Sequence, residues 1–257
     1  MRHYGAGMNL EVTDEPAGPL IARGREATVH ALGTDRVLRR YDDGRDVTAE
    51  VTVMRHVARH GVPVPTVHAV QLDAAGRPVA MVLDRVEGPT LVEAGLRGSV
   101  DAAGVGTTLA DLHAVLHRVP VEGLPRLAEP PVREPGHVVV HLDLHPANVM
   151  LTDGGPVLID WSIARTGPAT LDTAMTALTL AGAVVAGVPT DAGDVARLDI
   201  SRTFVADVLH AYLAALPVPP TPSLERAAAV LDMVGAQPPH VVRAALALVR
   251  DALGAEG

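Results

Sequence analysis

The chain of 257 residues contains no cysteine and no lysine, and it has few aromatic residues. Without cysteine, disulfides and thiolate metal sites are excluded, which fits a reducing compartment. No basic segment followed by an apolar core opens the chain, so we expect no signal peptide and a cytoplasmic protein. Because aromatics make up only 2% of a chain that is 48% hydrophobic, a globular core has to be built from Leu, Val, Ala and Met.

The charge is also one-sided. All 21 basic residues are arginines, and they face 30 acidic residues, for a net charge of −9. A general nucleic-acid-binding protein would carry a basic patch, so nucleic acid is not an expected partner. An acidic surface is compatible with a cationic small molecule, although it also serves solubility alone. The most apolar run, residues 174–188, is shorter than the roughly 20 residues of a membrane span, and it predicts a buried helix and no membrane partner.

The first part of the chain predicts an antiparallel sheet with one helix. Residues 1–16 have the composition of a loose, polar lead-in. Two-residue alternation and turn signals predict strands on either side of Gly24 and at residues 36–41, 67–73 and 79–86. Apolar residues at helical spacing predict a helix over residues 46–60. The sequence Glu87-Gly88-Pro89 then marks a boundary between an N-terminal lobe, residues 1–87, and a C-terminal lobe, residues 88–257.

The second lobe is predicted to be mainly helical, which makes the fold class α+β. A proline-rich stretch, residues 120–135, is expected to be an exposed connection. Besides the run at 174–188, the predicted helices cover residues 101–118, 191–215, 222–234 and 239–253.

The most informative pattern is H-x-D-x4-N, formed by His141, Asp143 and Asn148, with Asp160 after the next apolar run. A hairpin around residues 153–155 would hold Asn148 and Asp160 at a fixed separation. Phosphoryl transfer uses a carboxylate near the acceptor hydroxyl, and an amide and a second carboxylate on magnesium. Each residue alone is more often a cap or a turn former. Together they predict Asp143 as the catalytic residue and Asn148 and Asp160 as Mg²⁺ ligands.

Two histidines of this segment, His141 and His145, are four residues apart. Zinc-binding pairs at this spacing share a helix, whereas these residues flank Pro146 in a loop. We therefore expect His141 to hydrogen-bond the backbone near Asp160 and to hold that loop.

The segment from His141 to Trp161 resembles the aminoglycoside phosphotransferase family. The usual pattern of that family is H-G-D-x4-N followed by I-D-W or I-D-F. Leu142 replaces the common glycine, a departure that could shift the loop backbone. The resemblance extends from about residue 20 to 180 and is weaker in the last 75 residues. Its further matches are RVLRRY with Glu50, GVPVPTVHAV, MVLDRVEGPTL, LADLHAVLH and Asp172.

The resemblance implies a two-lobed, protein-kinase-like fold and a small-molecule kinase. ATP, or another nucleoside triphosphate, and Mg²⁺ are the implied cofactors, and an aminoglycoside, amino alcohol or sugar hydroxyl is the implied acceptor. Arg39 would take the place of the kinase lysine and pair with Glu50, and backbone groups from Asp84 to Val86 would bind the base edge. Thr28 would touch phosphate unless its loop is an ordinary hairpin. The implied nucleotide-binding residues are Thr28, Val29, Val37, Arg39, Glu50, Met81, Val86, Met150 and Ile159.

Two other functions remain open from the sequence. A nucleotide-binding pseudokinase without turnover gains some support from Leu142, from Arg39 and from a glycine loop with Gly24 as its one glycine. The presence of Asp143, Asn148 and Asp160 counts against it. A protein kinase is disfavoured, because the segment between Asp160 and Asp172 leaves little room for a long activation loop. Acidic residues of the C-terminal helices could meet a cationic acceptor or form a solvated face: Asp194, Asp199, Asp207 and Asp232.

Overall fold

The computed structural model describes residues 3–4, 10–24, 26–124, 137–187 and 202–254. The chain divides between Glu87 and Gly88 into two units. The N-terminal unit is a sheet with one helix, and the C-terminal unit is mainly helical.

The described N-terminal unit contains a seven-stranded sheet. Its strands are β1 (His3–Tyr4), β2 (Leu10–Val12), β3 (Leu20–Arg23), β4 (Ala27–Leu32), β5 (Arg36–Tyr41), β6 (Val67–Leu72) and β7 (Pro78–Asp84). They lie in the order β1-β2-β6-β7-β5-β4-β3. Neighbouring strands are antiparallel except β2 and β6. Successive residues of a strand point to opposite faces, so Leu38 and Arg39 lie on different sides of the sheet. The helix α1 (Thr48–Arg59) carries the buried Glu50.

The prediction of an unstructured lead-in over residues 1–16 is wrong for Leu10–Val12. This segment forms β2 and pairs in parallel with β6, with Glu11 opposite Ala69 and Val12 opposite Val70. Thr13 continues the ladder and donates its N–H to Val70 O at 3.0 Å. The partner lies far along the chain and supplies backbone hydrogen bonds, so the local composition gave no sign of the strand.

The C-terminal unit combines helices with two short antiparallel strand pairs among its described residues. The helices are α2 (Leu91–Leu96), α3 (Ala102–Leu116), α4 (Ala169–Ala186), α5 (Arg202–Ala215), α6 (Leu224–Met233) and α7 (Pro239–Gly254). The strands are β8 (His137–Val140), β9 (Val149–Thr152), β10 (Gly155–Leu158) and β11 (Arg165–Pro168). The sequence did not predict β11, which pairs with β8. Residues 125–136 and 188–201, covering most of the predicted proline-rich connection and the start of the helix predicted at 191, lie outside the described residues.

The apolar run forms the central helix α4. Within the described ranges, α4 alone is long and apolar enough to cross a membrane, with a mean hydropathy of 1.4 over 18 residues. Of that window, 61% is buried inside the structure, where α4 packs against α5, α6 and α7. The prediction of a buried helix in this part of the chain is confirmed.

Helices α3 and α5 cross in close contact at Gly106. A Cβ atom at this position would lie 2.6 Å from Tyr212 N and 2.8 Å from Val208 O, both of them backbone atoms of α5. Only a glycine therefore allows the two helices to approach this closely.

We expect Gly106→Ala to lower the free energy of unfolding by about 1–3 kcal/mol, because the added methyl group forces α5 away from α3. Chemical denaturation measures this loss. Gly254→Ala is the matched control, since Gly254 is also helical and nothing lies within 4 Å of its Cβ position. A loss of similar size in both variants would contradict the close packing of α3 and α5.

Candidate active site

The H-x-D-x4-N segment lies between two strand pairs of the C-terminal unit. Strand β8 leads into His141, and β9 and β10 form a hairpin in which Thr152 is opposite Gly155. At the base of this hairpin, Ile159 donates its N–H to Asn148 O at 2.9 Å. The hairpin therefore brings Asn148 and Asp160, twelve residues apart in sequence, to adjacent positions.

Asp143 and Asn148 are in direct contact. The Asn148 amide nitrogen Nδ2 donates to Asp143 O at 2.9 Å and to Asp143 Oδ2 at 3.0 Å. A short 3₁₀ helix over Pro146–Asn148 sets the position of this side chain. Because Nδ2 is turned towards Asp143, Oδ1 is the Asn148 atom that a cation would meet.

His145 also contacts this pair, although the sequence gave it no role at the site. Its Nε2 lies 3.6 Å from Asp143 Oδ1 and 3.2 Å from Asn148 Nδ2. Its Nδ1 accepts the N–H of Ala147 at 3.3 Å, which fixes the ring at the start of the 3₁₀ helix. Its position two residues after Asp143 is the feature of the sequence that could have indicated this contact.

Leu142 occupies the conformation that a glycine would favour. Its φ is +66°, in the left-handed region, and its side chain is buried. A non-glycine residue there costs about 1–2 kcal/mol, so neighbouring contacts have to hold it. The loop thus accommodates leucine with strain.

The contact that holds this loop is the carboxylate of Asp172, at the start of α4. Its Oδ1 accepts Leu142 N–H at 2.6 Å, and its Oδ2 accepts His141 N–H at 3.0 Å and lies 3.0 Å from His117 Nε2. Burial alone would raise the pKa of Asp172, but the adjacent His113 and His117 hold it well below its usual range. A fully buried, ionised carboxylate therefore anchors the loop that carries Leu142 and Asp143.

His141 contacts the backbone next to Asp160, as the sequence predicted. Its Nε2 lies 3.2 Å from Ile159 O, and its Nδ1 accepts Asp143 N–H at 3.2 Å. The ring is fully buried and meets the edge of Trp161 at 4.7 Å between centroids. One imidazole thus joins the residues beside Asp143 to those beside Asp160. Burial lowers its pKa to about 4, so it is neutral at pH 7.

The donor set of Asn148 and Asp160 fits Mg²⁺. Amide and carboxylate oxygens are hard ligands of the kind this ion prefers. Asp160 has φ +63°, a conformation that aspartate tolerates better than most residues, and the His141–Ile159 contact holds the adjacent backbone.

In the N-terminal unit, Arg39 and Glu50 form an ion pair. Arg39 Nη1 donates to Glu50 Oε1 at 2.8 Å. Tyr41, to which the sequence gave no role, donates its hydroxyl to Glu50 Oε2 at 2.7 Å. Its position on the same face of the strand as Arg39 was the available signal.

The other predicted nucleotide residues are divided between the two units. Thr28, Val29, Val37, Met81 and Val86 belong to the N-terminal unit, and Met150 and Ile159 to the C-terminal unit. The slot they would form stays a prediction.

Hydrogen bonds within the N-terminal unit involve the Thr28 hydroxyl and the backbone of Asp84 and Arg85. The Thr28 hydroxyl is buried and points towards Arg40 O at 3.5 Å, and Gly24 N–H donates to Ala27 O in a tight turn. At the end of β7, Asp84 N–H donates to Thr66 O and Arg85 N–H donates to Asp35 O. These two N–H groups therefore bond within the N-terminal unit.

Two of the four acidic residues proposed to meet a cationic acceptor lie in the described part of the chain. Asp207 on α5 and Asp232 on α6 are exposed. Asp194 and Asp199 lie outside the described residues.

Comparison with known proteins identifies the family. The sequence model of the phosphotransferase enzyme family, APH, matches residues 18–135 and 126–225. The chain belongs to the phosphotransferase enzyme family. This membership confirms the resemblance noted in the sequence and supports a small-molecule phosphotransferase. None of the curated proteins is a significant match to the chain.

Solved structures of phosphotransferases share the fold. The ADP-bound aminoglycoside phosphotransferase APH(2'')-Ib has a TM-score of 0.56 at 12% identity, with 90% of each chain covered. The GDP complex of aminoglycoside 2'-phosphotransferase-IIIa has a TM-score of 0.51 at 14% identity, with 95% of each chain covered. A choline/ethanolamine kinase family protein from Mesorhizobium loti has a TM-score of 0.50 at 16% identity, covering 92% of this chain and 79% of its own. At these identities the similarity establishes the protein-kinase-like fold, as predicted.

The buried His141 gives this phosphotransferase a testable pH dependence. Its folded pKa of about 4 lies below the unfolded value of about 6.5, so only the unfolded chain takes up this proton between those pH values. We expect the free energy of unfolding to fall by up to about 3 kcal/mol as the pH decreases through that window. Burial also lowers the pKa of His113, so His113 decreases the free energy of unfolding in the same pH range. Asp172 stabilises the fold at higher pH, and this stabilisation is lost only as the pH falls below its unfolded pKa of about 4.

Denaturation curves collected from pH 7 to pH 4 measure this dependence. His141→Gln should flatten the curve, and His210→Gln, at an exposed position of α5, should leave it unchanged. A wild-type stability that rises towards pH 4 would contradict the neutral, buried state of His141.

Proposed function

We propose that this protein is a Mg²⁺- and ATP-dependent kinase that transfers the γ-phosphate to a hydroxyl group of a small molecule. The observation that carries the proposal is the arrangement of Asp143, Asn148 and Asp160. Asn148 contacts Asp143 directly, and the hairpin and His141 hold Asp160 beside Asn148. One carboxylate for the acceptor hydroxyl and two oxygen ligands for a metal are what phosphoryl transfer requires.

The chain's own residues would act mainly by positioning. Asp143 would accept a hydrogen bond from the acceptor hydroxyl and receive its proton as that oxygen bonds to the γ-phosphorus of ATP. The bond between the γ-phosphorus and the bridging oxygen would break in the same transfer, and ADP would leave. Asn148, bound to Asp143 through Nδ2, would hold that carboxylate in one orientation. Asn148 Oδ1 and Asp160 would hold Mg²⁺, which when bound neutralises charge on the nucleotide phosphates.

Arg39 would bind phosphate oxygens from the N-terminal unit. A guanidinium is always charged at physiological pH and presents a planar fork that matches phosphate oxygens. Its pairing with a buried glutamate supports this role, because the glutamate keeps the guanidinium in place on β5.

A small-molecule acceptor is favoured over a polypeptide. Between Asp160 and Asp172 the chain forms β11 and then enters α4, which leaves no long segment to bind a protein substrate. The net charge of −9 favours a cationic acceptor, such as an aminoglycoside or an amino alcohol, over an anionic one.

The deciding experiment is a screen for ATP consumption with Mg²⁺ over aminoglycosides, macrolides, amino alcohols and sugars. A hydroxyl acceptor that raises ATP turnover and becomes phosphorylated, detected by mass spectrometry, supports the proposal. Stabilisation by nucleotide without turnover on any acceptor would favour a pseudokinase. Phosphorylation of the chain itself or of a polypeptide would favour a protein kinase.

Asp143→Ala and Asp160→Ala should each lower kcat by about 100-fold or more, because one removes the base for the hydroxyl and the other a metal ligand. Steady-state kinetics with the acceptor found in the screen measures the loss. Asp153→Ala is the matched control, since Asp153 is an exposed aspartate in the turn of the same hairpin. Normal turnover in either test variant, with the folded structure intact, would refute the assignment of its aspartate.

Neighbouring arginines on β5 separate a phosphate-binding role from a general effect of charge. We expect Arg39→Ala to lower kcat/KM for ATP by about 10- to 100-fold, the effect of losing hydrogen bonds from a charged group. Arg40→Ala should stay within about twofold, because Arg40 lies on the opposite face and contacts Gln71 at 2.7 Å. Equal losses in the two variants would exclude the role given to Arg39.

A further inference from the structure

Tyr41 also contacts the Arg39–Glu50 ion pair, and the family resemblance gave no role to this tyrosine. Glu50 is 6% exposed, so its charged carboxylate needs a partner on each oxygen. Arg39 Nη1 occupies Oε1 at 2.8 Å, and the Tyr41 hydroxyl occupies Oε2 at 2.7 Å. The tyrosine thus fixes the rotation of the carboxylate that in turn holds Arg39.

The Tyr41 ring contacts the same arginine a second time. The Arg39 guanidinium carbon lies 5.1 Å from the ring centroid, within the range of a cation–π interaction. Tyr41 is 3% exposed, so this contact is largely shielded from water. Two-residue alternation along β5 places both side chains on one face and makes the double contact possible.

We propose that Tyr41 is a positioning residue of the nucleotide site, which holds the Arg39 guanidinium in one orientation through Glu50 and through its own ring. This inference rests on the proposed function, in which Arg39 binds nucleotide phosphates. It identifies a residue on which nucleotide affinity depends without contact to the nucleotide.

The orientation that Tyr41 imposes matters because residue 39 is an arginine and not a lysine. A lysine presents a point charge whose three donors rotate freely, so it tolerates small rotations of its glutamate partner. A guanidinium is a rigid plane, and phosphate oxygens match its fork in a limited set of orientations. Restraint of that plane from both the glutamate and the ring lowers the conformational cost of binding phosphate.

The test measures binding of MgATP to the purified chain of 257 residues by isothermal titration calorimetry, with no acceptor present. Tyr41→Phe keeps the ring and removes the hydroxyl, and the expected result is a Kd about 5- to 10-fold higher. Tyr41→Leu, which also removes the ring, should raise Kd further. In an Arg39→Ala background, Tyr41→Phe should have no additional effect, because the residue through which it acts is gone.

Thermal unfolding of each variant separates loss of folding from loss of positioning. Arg45→Ala is the matched control: Arg45 also lies over the Tyr41 ring, at 4.6 Å, but it is paired with the exposed acids Glu26 and Asp43. It should leave the Kd for MgATP within about twofold.

The outcomes distinguish the two proposals. A wild-type protein that does not bind MgATP would overturn both the proposed function and the role of Tyr41. A wild type that binds, together with an unchanged Kd in Tyr41→Phe, would overturn the role of Tyr41 alone. An equal loss of affinity in the wild-type and Arg39→Ala backgrounds would also overturn it, since Tyr41 would then act independently of Arg39.

Discussion

The hydrogen bonds from the backbone of His141 and Leu142 to Asp172 are the interaction on which the candidate active site depends. This carboxylate accepts two consecutive backbone N–H groups, those of His141 and Leu142, and so holds the residue just before Asp143 in a left-handed conformation. Because Asp172 is at the start of the buried helix α4, the loop is tied to the core of the C-terminal unit. His117, the residue after the end of α3, contacts the same carboxylate and helps to keep it ionised. A displacement of His117 would therefore affect Asp143 through Asp172 and the backbone of His141 and Leu142.

Both units use the same physical device, a buried carboxylate with each oxygen occupied. Asp172 holds a backbone loop in this way, and Glu50 holds the side chain of Arg39. Removing one partner from such a group leaves a buried charge without compensation, which costs more than the hydrogen bond itself contributes. These carboxylates therefore restrict the geometry of the groups around them more than they add to stability. Neither of them is expected to touch the reacting atoms.

Much of the site could be predicted because its evidence is local in sequence. The hairpin after Asn148 has a turn signal between two apolar runs, and Arg39 and Glu50 fall on a strand and a helix of clear periodicity. What the sequence could not predict depends on partners far along the chain. Strand β2 exists because β6 offers it a parallel edge, and the His117–Asp172 contact joins positions 55 residues apart. The strain at Leu142 was hidden for the same reason, since the residue that holds it comes thirty positions later.

The distribution of backbone strain bears on whether the site is used for catalysis. Among the described residues, the non-glycine positions with positive φ are Leu142 and Asp160, one next to Asp143 and the other a metal-ligand candidate. Such conformations persist only where surrounding contacts over-determine them, and they cluster at functional sites. Asp172 restrains the first, and His141, through Ile159 O, restrains the second. A protein that only bound a nucleotide would have less need to hold Asp143, which in the proposed function receives the proton of the acceptor hydroxyl. The buried contacts that hold the loop of Asp143 therefore favour a catalytically active phosphotransferase over a protein that only binds nucleotide.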